Sequence, residues 1–310
     1  ETLRRLIITR NWFPEEIRKN IDQAVSNARR ARIECAPLPN SPAATVYASP
    51  VDGAFAQSFM TVVPDGKGHV SCSALLKRGT GVADSFIIPL PTKKVLKSFL
   101  DTMKQEGAFL ESSPEYLDQR ICHSLAESAA VGNAPSYWLA HVAELLGKDQ
   151  WKATAFDTRR ELALMRAELE RSAPELLADK SRRKALRDSA DWCDEHHFAD
   201  SWFEDNAEVD KVIAAVLKKK RNRPDANLSA MHAIIDNILE KRRQVWLERL
   251  TLNALWLKAA KKSPLPWHQM FHLAEAVGDT TFPLAEIPLM ESIAIQSLRA
   301  YLGRREDEGL

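Results

Sequence analysis

The seven residues Asp191-Trp-Cys-Asp-Glu-His-His197 bring together every common metal-ligand type. On a helix, Cys193 and His197 stand at i and i+4 on one face, a workable pair for Zn²⁺. A structural zinc site needs four ligands and a catalytic one three, and no neighbouring ligand run completes this pair. His268 and His272 repeat the i, i+4 spacing with Glu275 one turn further on, but lack the intervening glutamate of an HExxH motif. Trp267, Phe271 and Ala274, with Met270 and Val277 alongside, mark that segment as a core-facing helix and put the histidines at its margin. Neither cluster is expected to hold a metal, and no cofactor is expected.

Nucleophile and phosphate chemistry is weaker still. No GxSxG elbow occurs. Cys72 shares a strand face with Val70 and Ala74 and reads as core, and Cys122 and His123 are adjacent, so on a helix they do not face each other. Asp52, Asp65 and Asp84 lie near loops of the strand region and could gather, yet an Asp beside Gly is already explained by turn hydrogen bonding. The run 78–84, Arg-Gly-Thr-Gly-Val-Ala-Asp, is the most phosphate-loop-like stretch, but it leads into a strand where an anion site needs a helix N-terminus.

Charge carries the clearest pattern. The total is near neutral, 43 basic against 42 acidic residues, so no global field draws the chain to nucleic acid or membrane. From Asp191 to Asp210 there are eight acids and no Lys or Arg; from Lys211 to Lys262 thirteen bases outnumber the acids. Lys218, Lys219, Lys220, Arg221 and Arg223 form one dense run, and Lys241, Arg242 and Arg243 another. Tryptophans 246 and 256 are interleaved with them. Such a basic face can hold acidic protein segments or phosphates. The two runs of opposite sign adjoin in sequence, and Lys218–Lys220, Arg221 and 241–243 are expected to stay exposed and largely unpaired with the acids.

The elements that must position these residues fall into two textures. Sheet signals are confined to about 33–90: alternation at 70–74, an apolar run at 59–63, hairpin chemistry at 64–68, and further strands at 45–48 and 86–88. Helices flank them: one capped by Asn11 and running to about Ala31, one opened by Pro91-Thr92 and stopped by Gly107, one capped by Ser113-Pro114, and one from Pro135 to Leu146. From Asp157 onward only helical signals appear, at 158–171, 174–197, 206–221, 226–262, 266–277 and 287–304. The 226–262 stretch is long enough to predict a kink. The prolines of 282–290 suggest a cap on the helical stack, or alternatively a docking strip of Ile287, Leu289 and Met290.

These readings predict an α+β fold: a small antiparallel sheet flanked by helices over 1–150, then an all-helical hairpin stack over 151–310. Four scattered cysteines without a CxxC pair point to free thiols and a cytoplasmic setting. No 18-residue apolar run predicts a membrane span, and the first residues lack the apolar core of a secretory signal. The expected function is a non-enzymatic interaction or scaffold subunit of a cytoplasmic assembly, with another protein as partner. A nucleic-acid-associated accessory protein using the 218–243 basic region is the alternative, and a metal-dependent hydrolase at Cys193 and His197 the third reading.

Overall fold

Strand-forming sequence builds one antiparallel sheet, in the order β4-β3-β2-β1-β5. The computed structural model describes residues 1–39, 43–106, 109–220 and 223–307. The strands are β1 (Thr45–Ala48), β2 (Ala56–Asp65), β3 (Gly68–Lys77), β4 (Gly81–Leu90) and β5 (Leu110–Ser112). The β2–β3 hairpin closes over Gly66 and Lys67, with Asp65 opposite Gly68. The pairs Phe59↔Ala74 and Thr61↔Cys72 put Phe59, Thr61, Val70, Cys72 and Ala74 on one side. There Phe59 meets Tyr116 of α4 (Pro114–Ala130) at 5.7 Å between ring centroids.

Residues 70–74 do not alternate between buried and exposed. Ser71 and Ser73 are as buried as Cys72, because β3 lies between β2 and β4 and its second face is also covered. On that face Leu96 and Leu100 of α3 (Lys93–Glu106) line a small cavity with Tyr47, Val62 and His69. The turn before β4 requires glycine: Gly81 has φ +82°, and a Cβ there would lie 2.1 Å from Ser128 Oγ. The same hydroxyl accepts the Val82 N–H at 2.9 Å. The short strand β5 was not legible in sequence. Its outer edge is occupied by 259–262, through an Ser112↔Ala260 bridge and a Lys261 N–H to Glu111 carbonyl bond of 2.8 Å.

Helix capping follows the residue chemistry in several places. Ser113 accepts the Tyr116 N–H, and Ser136 caps α5 (Tyr137–Leu145) through the Trp138 N–H. Asp157 caps α6 (Thr158–Ser172). The expected helix from Asn11 differs: α1 (Thr2–Thr9) precedes a 3₁₀ turn at Arg10–Trp12, and α2 (Glu15–Arg30) starts after Pro14. Trp12 is buried in that turn, which redirects the chain before Pro14 opens the next helix. The predicted stop at Gly107 lies outside the described residues.

The predicted 174–197 helix is broken into a 3₁₀ turn at Pro174–Leu177, α7 (Asp179–Asp188), a second turn at Ser189–Asp191 and a four-residue α8 (Trp192–Glu195). The last break, at the extended His196, lets aromatic rings meet. In a continuous helix Trp192 and Phe198 would point about 120° apart, whereas here they approach to 6.4 Å, and Phe198 also meets Trp202 and Trp256 at 5.5 and 5.9 Å. Beyond α9 (Ala207–Lys219), the 226–262 stretch breaks as expected: α10 (Ala226–Ile234), a π turn at Ile235–Leu239, then α11 (Arg243–Ala259). The chain ends in α12 (Trp267–Gly278) and α13 (Pro288–Asp307). Ile287, Leu289 and Met290 are fully buried, so the docking-strip alternative fails. Among the described residues no helix is long and apolar enough to cross a membrane.

Two compact units result. The first contains Glu1–Pro50, Phe55–Phe156 and Ala259–Lys262; the second contains Val51–Ala54, Asp157–Lys258 and Ser263–Leu310. The sheet lies in the first and α6 to α13 in the second, apart from the last residue of α11. The segment before Asp157 is not loose. Trp151 is buried, its indole N–H donates to Asp118 at 2.8 Å, and Lys148 reaches the same carboxylate at 2.6 Å.

Candidate interaction surface

The basic residues singled out by sequence separate into two groups with different fates. Asn206 caps α9, accepting the N–H groups of Glu208 and Val209, and this fixes where the helix begins. Lys218 and Lys219 occupy its last turn, exposed to solvent, where cations complement the negative end of the helix dipole. Arg223 is exposed just beyond. Arg221 lies outside the described residues. Lys220 turns back, donating to Asp225 at 2.6 Å and Ser229 Oγ at 2.5 Å, and this bond holds the Asp225 carboxyl below the usual carboxylate range. Beside Ser229, Leu228 is 54% exposed. Among the described residues no ion pair engages Lys218, Lys219 or Arg223.

The second group is corrected by the structure. Lys241 pairs with Glu208 at 2.9 Å and Arg242 with Glu204, so these bases are not left unpaired by the 191–210 acids. Arg243 pairs with Glu240 at 2.7 Å and donates to the carbonyls of Val277, Asp279 and Phe282 at 3.0–3.2 Å. Packing explains this: α9 lies against α10 and the π turn, which brings the start of α9 within reach of 241–242. The Glu204 carboxylate also accepts the Trp246 indole N–H at 3.0 Å. It is 4% exposed, and burial pushes its carboxyl above the ordinary value against the pull of Arg242 and Arg249. Other acids of the run are spent too: Asp205 and Asp210 on Arg304, Asp194 on Arg299 at 4.0 Å and Asp200 on His197 at 3.2 Å. Trp246 and Trp256 are buried and give the basic face no aromatic anchor.

A further basic face was missed. On α7, Lys180, Arg183, Lys184 and Arg187 follow i, i+3, i+4, i+7 spacing and are all exposed. Asp179 and Asp188 at the helix ends pair with Arg183 and Lys184 along the same helix, contacts worth only a few tenths of a kcal/mol. The spacing was readable in Asp-Lys-Ser-Arg-Arg-Lys-Ala-Leu-Arg-Asp; assigning one long helix through it hid the short, separate face.

The residues considered for chemistry are held apart or already committed. The four-residue α8 ends before His197, with His196 extended, so Cys193 and His197 do not share a helix face. Burial pushes the Cys193 thiol up to about 12, and that of Cys72 likewise. The rings of His268 and His272 lie 6.4 Å apart. His272 Nε2 bonds to the Leu176 carbonyl at 2.8 Å, and burial holds both histidines below their ordinary value. Cys122 Sγ accepts the Lys152 N–H at 3.4 Å, while His123 lies edge-on to Phe156. Asp65 and Asp84 stand near opposite ends of β3, opposite Gly68 and Leu75, about 20 Å apart by strand rise; Asp52 accepts the Ala54 N–H in the second unit. The 78–84 glycines turn the chain from β3 to β4. Among the described residues no group of three or more His, Cys, Asp or Glu could hold a metal ion.

The helical unit that carries both basic faces has a recognisable counterpart. Residues 160–302 match the Y4lR C-terminal helical domain. Residues 1–32, which hold α1 and α2, match the Y4lR second domain. Over 312 aligned residues the chain is 26% identical to the uncharacterized protein y4lR of Sinorhizobium fredii (strain NBRC 101917 / NGR234), covering 97% of this chain. It spans 56% of y4lR's length. No solved structure matches the chain.

Proposed function

We propose that the protein is a non-enzymatic interaction module of the cytoplasm whose helical unit receives an acidic segment of a partner protein. The observation that supports this is the end of α9: Lys218, Lys219 and Arg223 are exposed without an ion pair among the described residues, and Leu228, next to Ser229 in sequence, is exposed as well. The neighbouring acids are spent on internal pairs, so they do not neutralise these cations. Surface cations add little to stability, but their field speeds encounter with an oppositely charged partner. An exposed apolar side chain close to them in sequence favours a peptide carrying both carboxylates and an aliphatic anchor over a phosphate backbone, which offers no apolar group. The α7 face adds a second area of the same sign. Free thiols at Cys35, Cys72, Cys122 and Cys193 fit the cytoplasmic placement.

Fluorescence anisotropy with a labelled peptide of alternating Glu and Leu, compared with a 20-base-pair DNA duplex at low and high salt, tests the reading. The peptide should bind more tightly than the duplex. Replacing Lys218 and Lys219 by Glu should weaken it roughly two- to fivefold per charge, and Leu228→Ser should weaken it further, with the melting temperature unchanged. Tighter binding to the duplex would favour the nucleic-acid alternative, and peptide binding indifferent to these substitutions would sink the proposal.

A further inference from the structure

Helix α7 turns one side to the fold and the opposite side to solvent. Ala185 is buried, Arg182 and Leu186 are half-buried, and the Arg182 guanidinium lies 5.6 Å from the centre of the Phe282 ring. Lys180, Arg183, Lys184 and Arg187 point the other way, within a stripe about 100° wide at the helical rotation of about 100° per residue, and all are exposed. α7 packs against α12, and His272 Nε2 donates to the Leu176 carbonyl at 2.8 Å, which ties down the turn before the helix. The stripe therefore stands on an element held from behind.

Its charge is weakly offset. Asp179 stands 3.5 Å from Arg183, their side chains 84% and 72% exposed, and Asp188 meets Lys184; water screens such pairs. Among the described residues no ion pair engages Lys180 or Arg187. The two acids sit at opposite ends of the helix and on opposite edges of the stripe, about 100° to one side of Lys180 and about 80° to the other. They confine the positive field to about two turns, about 10 Å of helix.

The spacing selects the occupant. Cations at i, i+3, i+4 and i+7 stand at about 0, 4.5, 6 and 10.5 Å along the axis. Carboxylates with the same spacing on a second helix fall at the same heights, and the series reads the same from either end, so both helix directions keep register. In an extended chain the side chains of one face recur about every 6.6 Å and lose that register after the second. A duplex carries charge without a break, one per about 1.7 Å of its axis, and would run on past Asp179 and Asp188. We infer that the α7 face docks a helix of a partner protein through a stripe of Glu or Asp at i, i+3, i+4 and i+7. This rests on the acidic-partner reading above and adds to it a second site, apart from the end of α9, with a folded occupant. Alignment of the two stripes lets all four cations act together, and their field speeds encounter more than it adds affinity.

The test titrates two alanine-rich peptides, each held helical by a hydrocarbon staple, into the full chain at low salt. One carries four Glu at i, i+3, i+4 and i+7; its isomer has the same four spread around the helix. Binding is measured and located by ¹H–¹⁵N shifts of the backbone amides. The striped peptide should shift the amides of 180–187 and bind about tenfold tighter than its isomer, the difference between four aligned pairs and two. Lys180→Glu with Arg187→Glu should weaken it roughly two- to fivefold per charge at an unchanged melting temperature, and Lys180→Gln with Arg187→Gln serves if the reversal disturbs the helix. Lys218→Glu with Lys219→Glu should leave it unchanged. Equal affinity for the two isomers, binding of neither, tighter binding of a 20-base-pair DNA duplex at this face, or binding indifferent to the α7 variants would overturn the assignment. Loss of the striped peptide through the α9 variants alone would overturn it and spare the acidic-partner reading. Striped binding at 180–187 beside an α9 end indifferent to the flexible Glu and Leu peptide would uphold this site and remove the other.

Discussion

At Glu204, burial and charge compete for one carboxyl group. Its partners Arg242 and Trp246 favour the ionised form, but desolvation is the larger influence and raises its pKa in the folded state. A raised folded value means that the folded protein retains a proton the unfolded chain gives up. The associated stabilisation is full below the unfolded carboxylate range, near pH 4, and is lost as pH climbs through the folded value. Glu204→Gln cannot titrate, so its urea-unfolding free energy should gain on wild type as pH rises from about 4 to about 7; a pH-independent difference would contradict this. Glu204→Ala should cost about 1–3 kcal/mol, since it leaves the Trp246 N–H without its acceptor. Sequence showed the acid and the bases here as separate runs. It could not show that one member would be sealed inside and paired with the half-exposed Arg242.

Among the elements of the second unit, the tetrapeptide Val51–Ala54 is held to helix α11 by buried hydrogen bonds. Asn253 holds Val51 from both sides: its Oδ1 accepts the Val51 N–H at 3.0 Å and its Nδ2 donates to the Val51 carbonyl at 3.1 Å. Trp202 donates to the same carbonyl at 3.3 Å, Arg249 to that of Gly53 at 2.8 Å, and Ser201 Oγ accepts the Gly53 N–H at 2.8 Å. Gly53 admits no side chain, because a Cβ would fall 1.9 Å from the Ser201 carbonyl oxygen. Asn253→Ala should therefore lower stability by about 2–4 kcal/mol, given two buried bonds lost and the partners left unsatisfied; a change under about 0.5 kcal/mol, typical of surface sites, would refute the clamp. The kink in 226–262 was legible from length alone. The fragmentation of 174–197 was not, because helical periodicity describes a face and says nothing of which aromatic rings must meet.

For the whole molecule, connectivity sets the expectation. The chain passes between its two units five times, since each unit contains a short segment from within the other's range. The 147–157 stretch, where the sequence texture changes, is tied down by Trp151, by Lys148 and by backbone bonds from Ala153 to Asn11 and Thr154 to Cys122; sequence alone leaves this junction and the 172–180 link equally open as places to cut. Limited trypsin digestion should therefore cut first at Arg171 or Lys180, on the exposed stretch around the 174–177 turn, and should spare Lys148 and Lys152. First cleavage at either of those two lysines would show that the junction is looser than its bonds imply.

Residue pattern by itself determined the α+β class, four of the five strands, the caps at Ser113 and the kink near 235, because each depends on local backbone preference and on apolar periodicity over a few turns. It also marked Lys218, Lys219 and Arg223 as a dense basic run. Tertiary structure alone decided that Lys241, Arg242 and Arg243 are spent on Glu208, Glu204 and Glu240, that the Trp246 indole finds its acceptor in Glu204, and that β5 is edged by 259–262. Pairing across tens or hundreds of residues depends on which elements pack together, and a charge or an indole carries no mark in sequence of the partner that packing will bring to it.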